Sequence, residues 1–118
     1  MTTIPEEGYL LRIFIGESDK MKGMPLYEWL VKQAKENGMA GVTVLRGIMG
    51  FGAHSKIIHT FKIERLSEDL PIVIEMVDSK EKIERFLSFA EKEIQRGMLA
   101  TIEKVQVRVY RGGDVHNG

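Results

Sequence analysis

Cysteine is absent from this 118-residue chain, and the sequence also lacks a net charge and a long apolar run. Without cysteine, disulfide frameworks, thiolate zinc sites and cysteine nucleophiles are excluded. The 17 basic residues balance the 17 acidic ones, so no charge excess draws the whole molecule to nucleic acid or to an anionic membrane. No apolar segment is long enough to span a bilayer, and the N-terminus is not typical of a signal peptide. We therefore expect one cytoplasmic domain over residues 1–118, with its ordered core at 8–112, no nucleic-acid partner and no membrane insertion.

The first half of the chain predicts a strand, a helix and a second strand. Apolar side chains alternate along residues 9–16, so one face of this strand carries Leu11, Ile13 and Ile15. A polar loop over 17–24 follows, and Pro25 suits the first turn of a helix that Asn37 and Gly38 end. The β-branched residues at 42–46 predict the second strand.

The second half predicts a comparable order. Residues 57–64 alternate again, and the apolar run at 72–77 predicts a buried strand. Asp78 and Glu81 have the spacing of a capping box and open a helix that Gly97 ends. Alternating valines then predict a last strand that contains Val105, Val107 and Val109.

This order of elements favours an α+β fold, a ferredoxin-like βαββαβ sandwich in which two helices cover one face of an antiparallel sheet. Apolar residues on the opposite face of the strands make both sheet faces apolar; they are Leu10, Phe14, Leu45 and Val73. Two helices can cover only one face. We therefore expect copies of the same chain to bury the other, and we expect the polar segment 53–69 to be a mobile loop.

Three glycines, Gly47, Gly50 and Gly52, follow the second strand directly. Their order fits neither a dinucleotide-binding fingerprint nor a Walker A loop, and a bend or bulge is their commonest role. Unshielded backbone N–H groups can also form a nest for a phosphate, to which Arg46 and Lys56 would add positive charge. The histidines nearby, His54 and His59, do not have the spacing of a metal site.

Three segments together resemble the PII signalling proteins, in particular the PII-like group known as domain of unknown function 190. The first runs from Gly41 through Arg46 to Gly47 and continues with Gly50, Phe51 and Gly52, like the second strand and loop base of PII proteins. The second, at 70–75, is similar to their third strand. The third, at 107–112, is similar to their basic C-terminal strand.

The resemblance implies a homotrimer of PII-like subunits with an adenine nucleotide (ADP, AMP or ATP) in the clefts between subunits. It assigns the ligand's contacts to the loop base and to the segment after the second helix, with Arg108 on the last strand as the phosphate-binding cation and Arg46 and Arg111 in support. The nucleotide-binding residues so implied are Arg46, Gly47, Gly50, Phe51, Gly52, Arg96, Gly97, Met98, Leu99, Arg108 and Arg111. No metal ligand, catalytic residue or cofactor is implied.

This chain departs from the PII pattern at several positions. Ile48 and Met49 are inserted between the two glycine groups, and the G-D-G-K element with its phosphate-binding lysine is absent. Tyr110 stands where PII proteins have a second arginine. The segment 53–69 contains no tyrosine, so the nucleotidyl modification known in some PII proteins is not expected here.

We therefore expect a regulatory protein that is not an enzyme, in which the nucleotide shifts the loop at 53–69 between conformations that contact a protein partner differently. Two alternatives remain. One is a metal-binding trimer of the copper-tolerance type that uses His54 or His59. The other is an enzyme with an inter-subunit active site built from His54, Arg108 and Glu75.

Overall fold

The computed structural model describes residues 4–52 and 69–112. In chain order its elements are β1 (Glu7–Gly16), β2 (Lys20–Met21), β3 (Met24–Pro25), α1 (Leu26–Glu36), β4 (Thr43–Arg46), β5 (Pro71–Asp78), α2 (Lys80–Glu93) and β6 (Leu99–Gln106). The predicted strand at 57–64 and nearly all of the predicted mobile loop lie outside the described residues.

Four strands form one antiparallel sheet in the order β4-β5-β1-β6. With the two helices after β1 and β5, this is the predicted ferredoxin-like α+β arrangement. The helix-covered face carries the core, because alternate residues of β1 and β5 are buried against the apolar sides of α1 and α2. Its fully buried large side chains include Leu11, Ile13, Leu30, Ile74 and Ile83.

The predicted polar loop before the first helix contains a small hairpin, which corrects that part of the sequence analysis. Strands β2 and β3 pair across Lys22 and Gly23, whose φ angles are 51° and 84°. Positive φ at both central residues is the conformation of a type I′ hairpin turn, and Gly23 adopts it without strain. Sequence periodicity cannot reveal strands of two residues.

The second helix begins one residue later than predicted. Its N-cap is Ser79, whose hydroxyl accepts a hydrogen bond from the Lys82 backbone N–H at 3.3 Å. The Asp78 carboxylate does not cap the helix in the predicted way, because it is fully buried and accepts hydrogen bonds from the backbone N–H groups of Ala40 and Ser79, at 2.9 and 2.7 Å. The helix ends at Glu93, earlier than Gly97, so that Ile94 can turn into the core.

The Asp78 carboxylate connects the chain just before β4 to the end of β5 through its hydrogen bonds. Its removal should therefore destabilise the fold. We expect Asp78→Ala to lower the free energy of unfolding by about 2–4 kcal/mol, because two backbone donors lose a charged acceptor in a buried place. Urea denaturation measures this. Glu84→Ala, at an exposed position of α2, should change stability by less than about 0.5 kcal/mol. Equal effects of the two substitutions would contradict a structural role for Asp78.

The sheet face away from the helices is apolar, as predicted, but a row of charged residues crosses it. The strand register places the four predicted residues Leu10, Phe14, Leu45 and Val73 on this face. Between their rows, the Arg12 guanidinium contacts Glu75 Oε2 at 2.9 Å and Glu103 Oε1 at 3.1 Å. We call the sheet face away from the helices the open face. Its residues Leu45 and Leu99 are 48% and 55% exposed in the single chain.

The last strand lies earlier in the sequence than predicted. Strand β6 covers Leu99–Gln106, so Arg108 lies beyond its end and the valine pattern at 105–109 belongs only partly to it. The reason is the length of the partner strand. The last backbone contact runs from the Val107 N–H to the Glu6 carbonyl at 2.6 Å, and the residue before Glu6 is proline, which has no N–H to extend the ladder.

Candidate nucleotide-binding site

The predicted site residues fall at two opposite ends of the sheet. At one end, Gly47 follows β4 and its N–H donates to the Pro71 carbonyl at 2.8 Å, beside Gly16 at the end of β1. At the other end, Arg108 follows β6 next to the start of β1. Strand β1 spans ten residues at about 3.3 Å per residue, so the two groups are about 30 Å apart. We call these the glycine end and the arginine end.

At the glycine end, Gly47 and Gly50 stand where a larger residue would be strained or crowded, whereas Gly52 has room for a side chain. Gly50 has φ of 148°, and a Cβ there would lie 3.2 Å from Pro71 Cγ. A Cβ on Gly47 would lie 2.8 Å from the same atom. By contrast, a Cβ on Gly52 would have no atom of the described residues within 4 Å. Gly47 and Gly50 therefore serve the turn itself, whereas the size of residue 52 is not constrained by that turn.

Phe51 and Gly52 share a cavity of about 140 Å³ with Leu99, the first residue of β6. The resemblance assigns contacts with the ligand both to the glycine segment and to the segment after the second helix, and Leu99 of the latter lies close to the glycine segment within one chain. Asp19 and Asp69 also line this cavity. Their carboxylates accept backbone hydrogen bonds from Gly16 and Ser18 at 2.9 and 3.0 Å.

The other predicted site residues after the second helix lie in separate environments. Gly97 has φ of 80° and turns the chain between α2 and β6, and Met98 packs partly buried against the core. Arg96 is exposed and lines a different cavity, together with Asp19 and Lys20. Of these three residues, Arg96 is the one that could offer positive charge at the glycine end.

The charge at the glycine end does not favour a phosphate by itself. Arg46, predicted to support phosphate binding, forms an ion pair with Glu17 at 2.6 Å between Nη2 and Oε2. Two carboxylates line the nearby cavity. This pairing was not predicted, because Glu17 is distant in sequence and carries no motif. Arg96, which has no ion pair among the described residues, is the cation left for a phosphate at this end, and any further cation would have to come from elsewhere.

The arginine end carries such cations. Arg108 and Arg111 are exposed, and neither forms an ion pair with any residue in the described ranges. The chain beyond β6 crosses the open face, since the Tyr110 hydroxyl reaches the Ala40 carbonyl at 3.4 Å near the start of the β4 segment. Within one chain, Arg108 and Arg111 are therefore held far from Gly50 and Gly52.

Two basic side chains, one on β1 and one on β6, have perturbed pKa values. The pKa of Arg12 is raised, first because its side chain hydrogen-bonds to Glu75 and further by the nearby charges of Glu75 and Glu103. The pKa of Lys104 is raised mainly by its hydrogen bond to Glu7. Both groups therefore remain cationic throughout the physiological pH range.

Among the described residues, no group of three or more potential metal ligands is found. His54 and His59 lie outside the described residues, so the metal-binding alternative is untested. No helix in the described ranges has the length and apolarity that a membrane-spanning segment requires.

Comparison with solved structures defines the class of fold. A protein from Thermus thermophilus, proposed to be a PII-like signalling protein, superposes with a TM-score of 0.60 over 91% of this chain and 93% of its own, at 23% identity. CPII from Thiomonas intermedia, in a structure bound to ADP, AMP and acetate, gives a TM-score of 0.59 over 86% and 88% of the two chains, at 18% identity. The fold is PII-like, as the resemblance in sequence implied.

The family follows from the sequence matches. Residues 8–107 match the model of domain of unknown function 190, described as Uncharacterized ACR, and the chain belongs to that family. A UPF0166 protein from Aquifex aeolicus is 43% identical over 98 residues, which are 83% of this chain and 90% of that protein.

Proposed function

We propose that this protein is a regulatory, non-catalytic PII-like trimer that binds an adenine nucleotide between neighbouring chains. The observation that carries the proposal is the division of the predicted site between the two ends of the sheet. The glycine segment, to which the resemblance assigns contacts with the nucleotide, lies at the glycine end, and the guanidinium groups of Arg108 and Arg111, with no ion pair among the described residues, lie about 30 Å away at the arginine end. A cyclic trimer brings different surfaces of neighbouring copies together, so it can join the two ends.

The exposed apolar side chains of the open face support the proposal of a trimer. It exposes Leu45 and Leu99, with Phe14 and Val73 between them in the same row across the sheet. A row of apolar side chains on an uncovered sheet is a surface that a second copy would cover favourably. The proposal requires this contact to bring one copy's arginine end beside its neighbour's glycine end.

The structure of CPII with ADP and AMP supports the choice of ligand, since that protein has the same fold. We propose that ADP or AMP binds at least as well as ATP, because this chain lacks the PII lysine for the terminal phosphate. We further propose that the nucleotide acts as an effector that biases the segment 53–69 toward contact with a protein partner, without a permanently bound cofactor. The cytoplasmic location stays a prediction.

The test is calorimetry with ADP on the parent protein and on Arg108→Ala. A charge-assisted hydrogen bond to phosphate contributes about 1.5–3 kcal/mol, so Arg108→Ala should weaken binding by roughly tenfold to a hundredfold. Lys104→Ala is the matched control, because this lysine lies near the same end of the protein and pairs with Glu7 at 3.1 Å. The proposal fails if ADP does not bind the parent protein at millimolar concentration, or if both variants lose the same affinity.

The enzyme alternative predicts a different result. Its proposed active site combines His54, which lies outside the described residues, with Arg108 and Glu75. Glu75 is held by Arg12 at 2.9 Å. Turnover of ATP or ADP by the parent protein, abolished by His54→Ala, would favour that alternative over a regulatory role.

A further inference from the structure

The cavity that Arg96 lines lies between the end of α2 and the segment that leads into α1. Its volume is about 280 Å³. This is slightly below the ~300–1,000 Å³ of pockets that hold drug-sized ligands, so it suits a smaller molecule. The cavity is formed within one chain. We call it the helix-end cavity.

The buried residues that line the helix-end cavity are apolar. Leu26 at the start of α1 and Ile94 directly after α2 are 3% and 6% exposed, and Met21 of β2 is half-buried. An aliphatic group placed against these side chains would be removed from water, and this removal is favourable. The buried wall therefore favours a ligand with an aliphatic part.

Charged side chains of both signs line the same cavity. Lys20 and Arg96 are cationic, and Asp19 and Glu93 are anionic. None of the four forms an ion pair with another residue in the described ranges. One Asp19 oxygen accepts a hydrogen bond from the Gly16 backbone N–H at 2.9 Å, so the side chains of the other three are the ones left for a ligand.

Opposite charges that border one cavity without pairing offer both partners that a zwitterion needs. A free α-amino acid carries a carboxylate and an ammonium group on the same carbon atom. Guanidinium and lysine ammonium groups donate to a carboxylate, and a glutamate accepts from an ammonium group. A ligand with a charge of only one sign would be attracted by half of these groups and repelled by the other half.

From the apolar wall and the unpaired charges of both signs, we propose that the helix-end cavity binds a free aliphatic α-amino acid. Arg96, with Lys20 in support, binds its carboxylate, and Glu93 accepts hydrogen bonds from its ammonium group. Its side chain packs against Leu26 and Ile94. This inference goes beyond the proposed function, because it assigns Arg96 to a second ligand and not to the nucleotide.

The first experiment is calorimetry on the parent protein with L-leucine and two analogues that share its aliphatic chain. One analogue, 4-methylpentanoate, lacks the ammonium group, and the other, 3-methylbutylamine, lacks the carboxylate. L-leucine should bind about tenfold or more tightly than either analogue, because each analogue loses charge-assisted hydrogen bonds and leaves one set of charges unpaired. L-methionine, L-isoleucine and L-valine complete the set of amino acids.

The second experiment repeats these titrations on Glu93→Gln and Arg96→Ala. Glu93→Gln should narrow the preference for L-leucine over 4-methylpentanoate and leave the preference over 3-methylbutylamine, since it removes the partner of the ammonium group. Arg96→Ala should have the converse effect. The matched controls are Glu91→Gln and Lys92→Ala, which remove charges at exposed positions of α2 outside the cavity wall and should leave the affinity for L-leucine unchanged. Thermal melting checks that each variant is folded.

Three results would overturn the inference. They are the absence of binding by all of these amino acids at millimolar concentration, equal binding of L-leucine and both analogues, and equal losses of affinity in Glu93→Gln and Glu91→Gln. None of these titrations contains ADP. A failure of the proposed function, which calorimetry with ADP reports, is therefore distinguishable from a failure of this inference.

Discussion

Mixing Gly52→Val chains with Arg108→Ala chains should restore high-affinity nucleotide binding that neither variant has alone. In a trimer whose clefts join the glycine end of one copy to the arginine end of the next, a mixed trimer contains a cleft built from the intact end of each variant. Random mixing should make about a quarter of all clefts intact. Calorimetry with ADP after joint refolding measures the recovered high-affinity sites.

Gly52 is the appropriate glycine for this experiment. A Cβ there meets no atom of the described residues within 4 Å, so a chain with valine should fold and assemble normally while the side chain obstructs a ligand. Valine at Gly50 would strain a backbone with φ of 148° and press on Pro71, which confounds binding with stability. The control refolds each variant alone. Absence of recovery from trimers shown to be mixed would mean that no cleft combines these two groups.

If the protein is the proposed trimer, Leu45→Asp should convert it to single chains and abolish the proposed nucleotide binding at the same time. Leu45 is 48% exposed, so an aspartate is tolerated in the isolated chain, but in the trimer its carboxylate would be buried against a neighbouring copy without a partner. Burial of an unpaired charge costs several kcal/mol per ion, and every interface of the trimer would contain one. Light scattering reports the mass, and circular dichroism checks that the fold is retained.

The matched control for this prediction is Ser88→Asp, which adds the same carboxylate at an exposed position of α2 on the opposite side of the molecule. It should leave the mass and the ADP affinity as they are in the parent protein. A trimeric mass for Leu45→Asp would show that the open face is not the contact between copies, and a parent protein that runs as a single chain would remove the basis of the shared cleft.

The sheet and helices could be predicted from local patterns because burial follows simple periodicities. Leu11, Ile13 and Ile15 alternate along β1, and the buried stripe of α2 recurs at helical spacing. Errors arose where a distant partner decides the outcome. Asp78 and Ser79 are both good helix caps, and the burial of Asp78, with its hydrogen bond from the distant Ala40 N–H at 2.9 Å, leaves Ser79 as the cap of α2.

The resemblance supplies the candidate site as a list of residues, which stays a prediction, but it does not supply their arrangement within one chain. The glycine segment and Arg108 could be found by resemblance, whereas their separation follows from the antiparallel register of β6 on β1. The ion pair of Arg46 with Glu17 and the approach of Tyr110 to Ala40 join residues far apart in sequence. No periodicity encodes such contacts, and Tyr110 stood out in the sequence only as a replacement for arginine.

In the proposed trimer, the separation of the glycine and arginine ends would have a genetic consequence. A chain defective at both ends would disable two clefts in any trimer it joined, one to which it contributes glycines and one to which it contributes arginines. The normal chains in that trimer would keep a single complete cleft between them. An allele of this kind, expressed beside the normal gene, should therefore be dominant, and an allele that prevents assembly, such as one encoding Leu45→Asp, should be recessive.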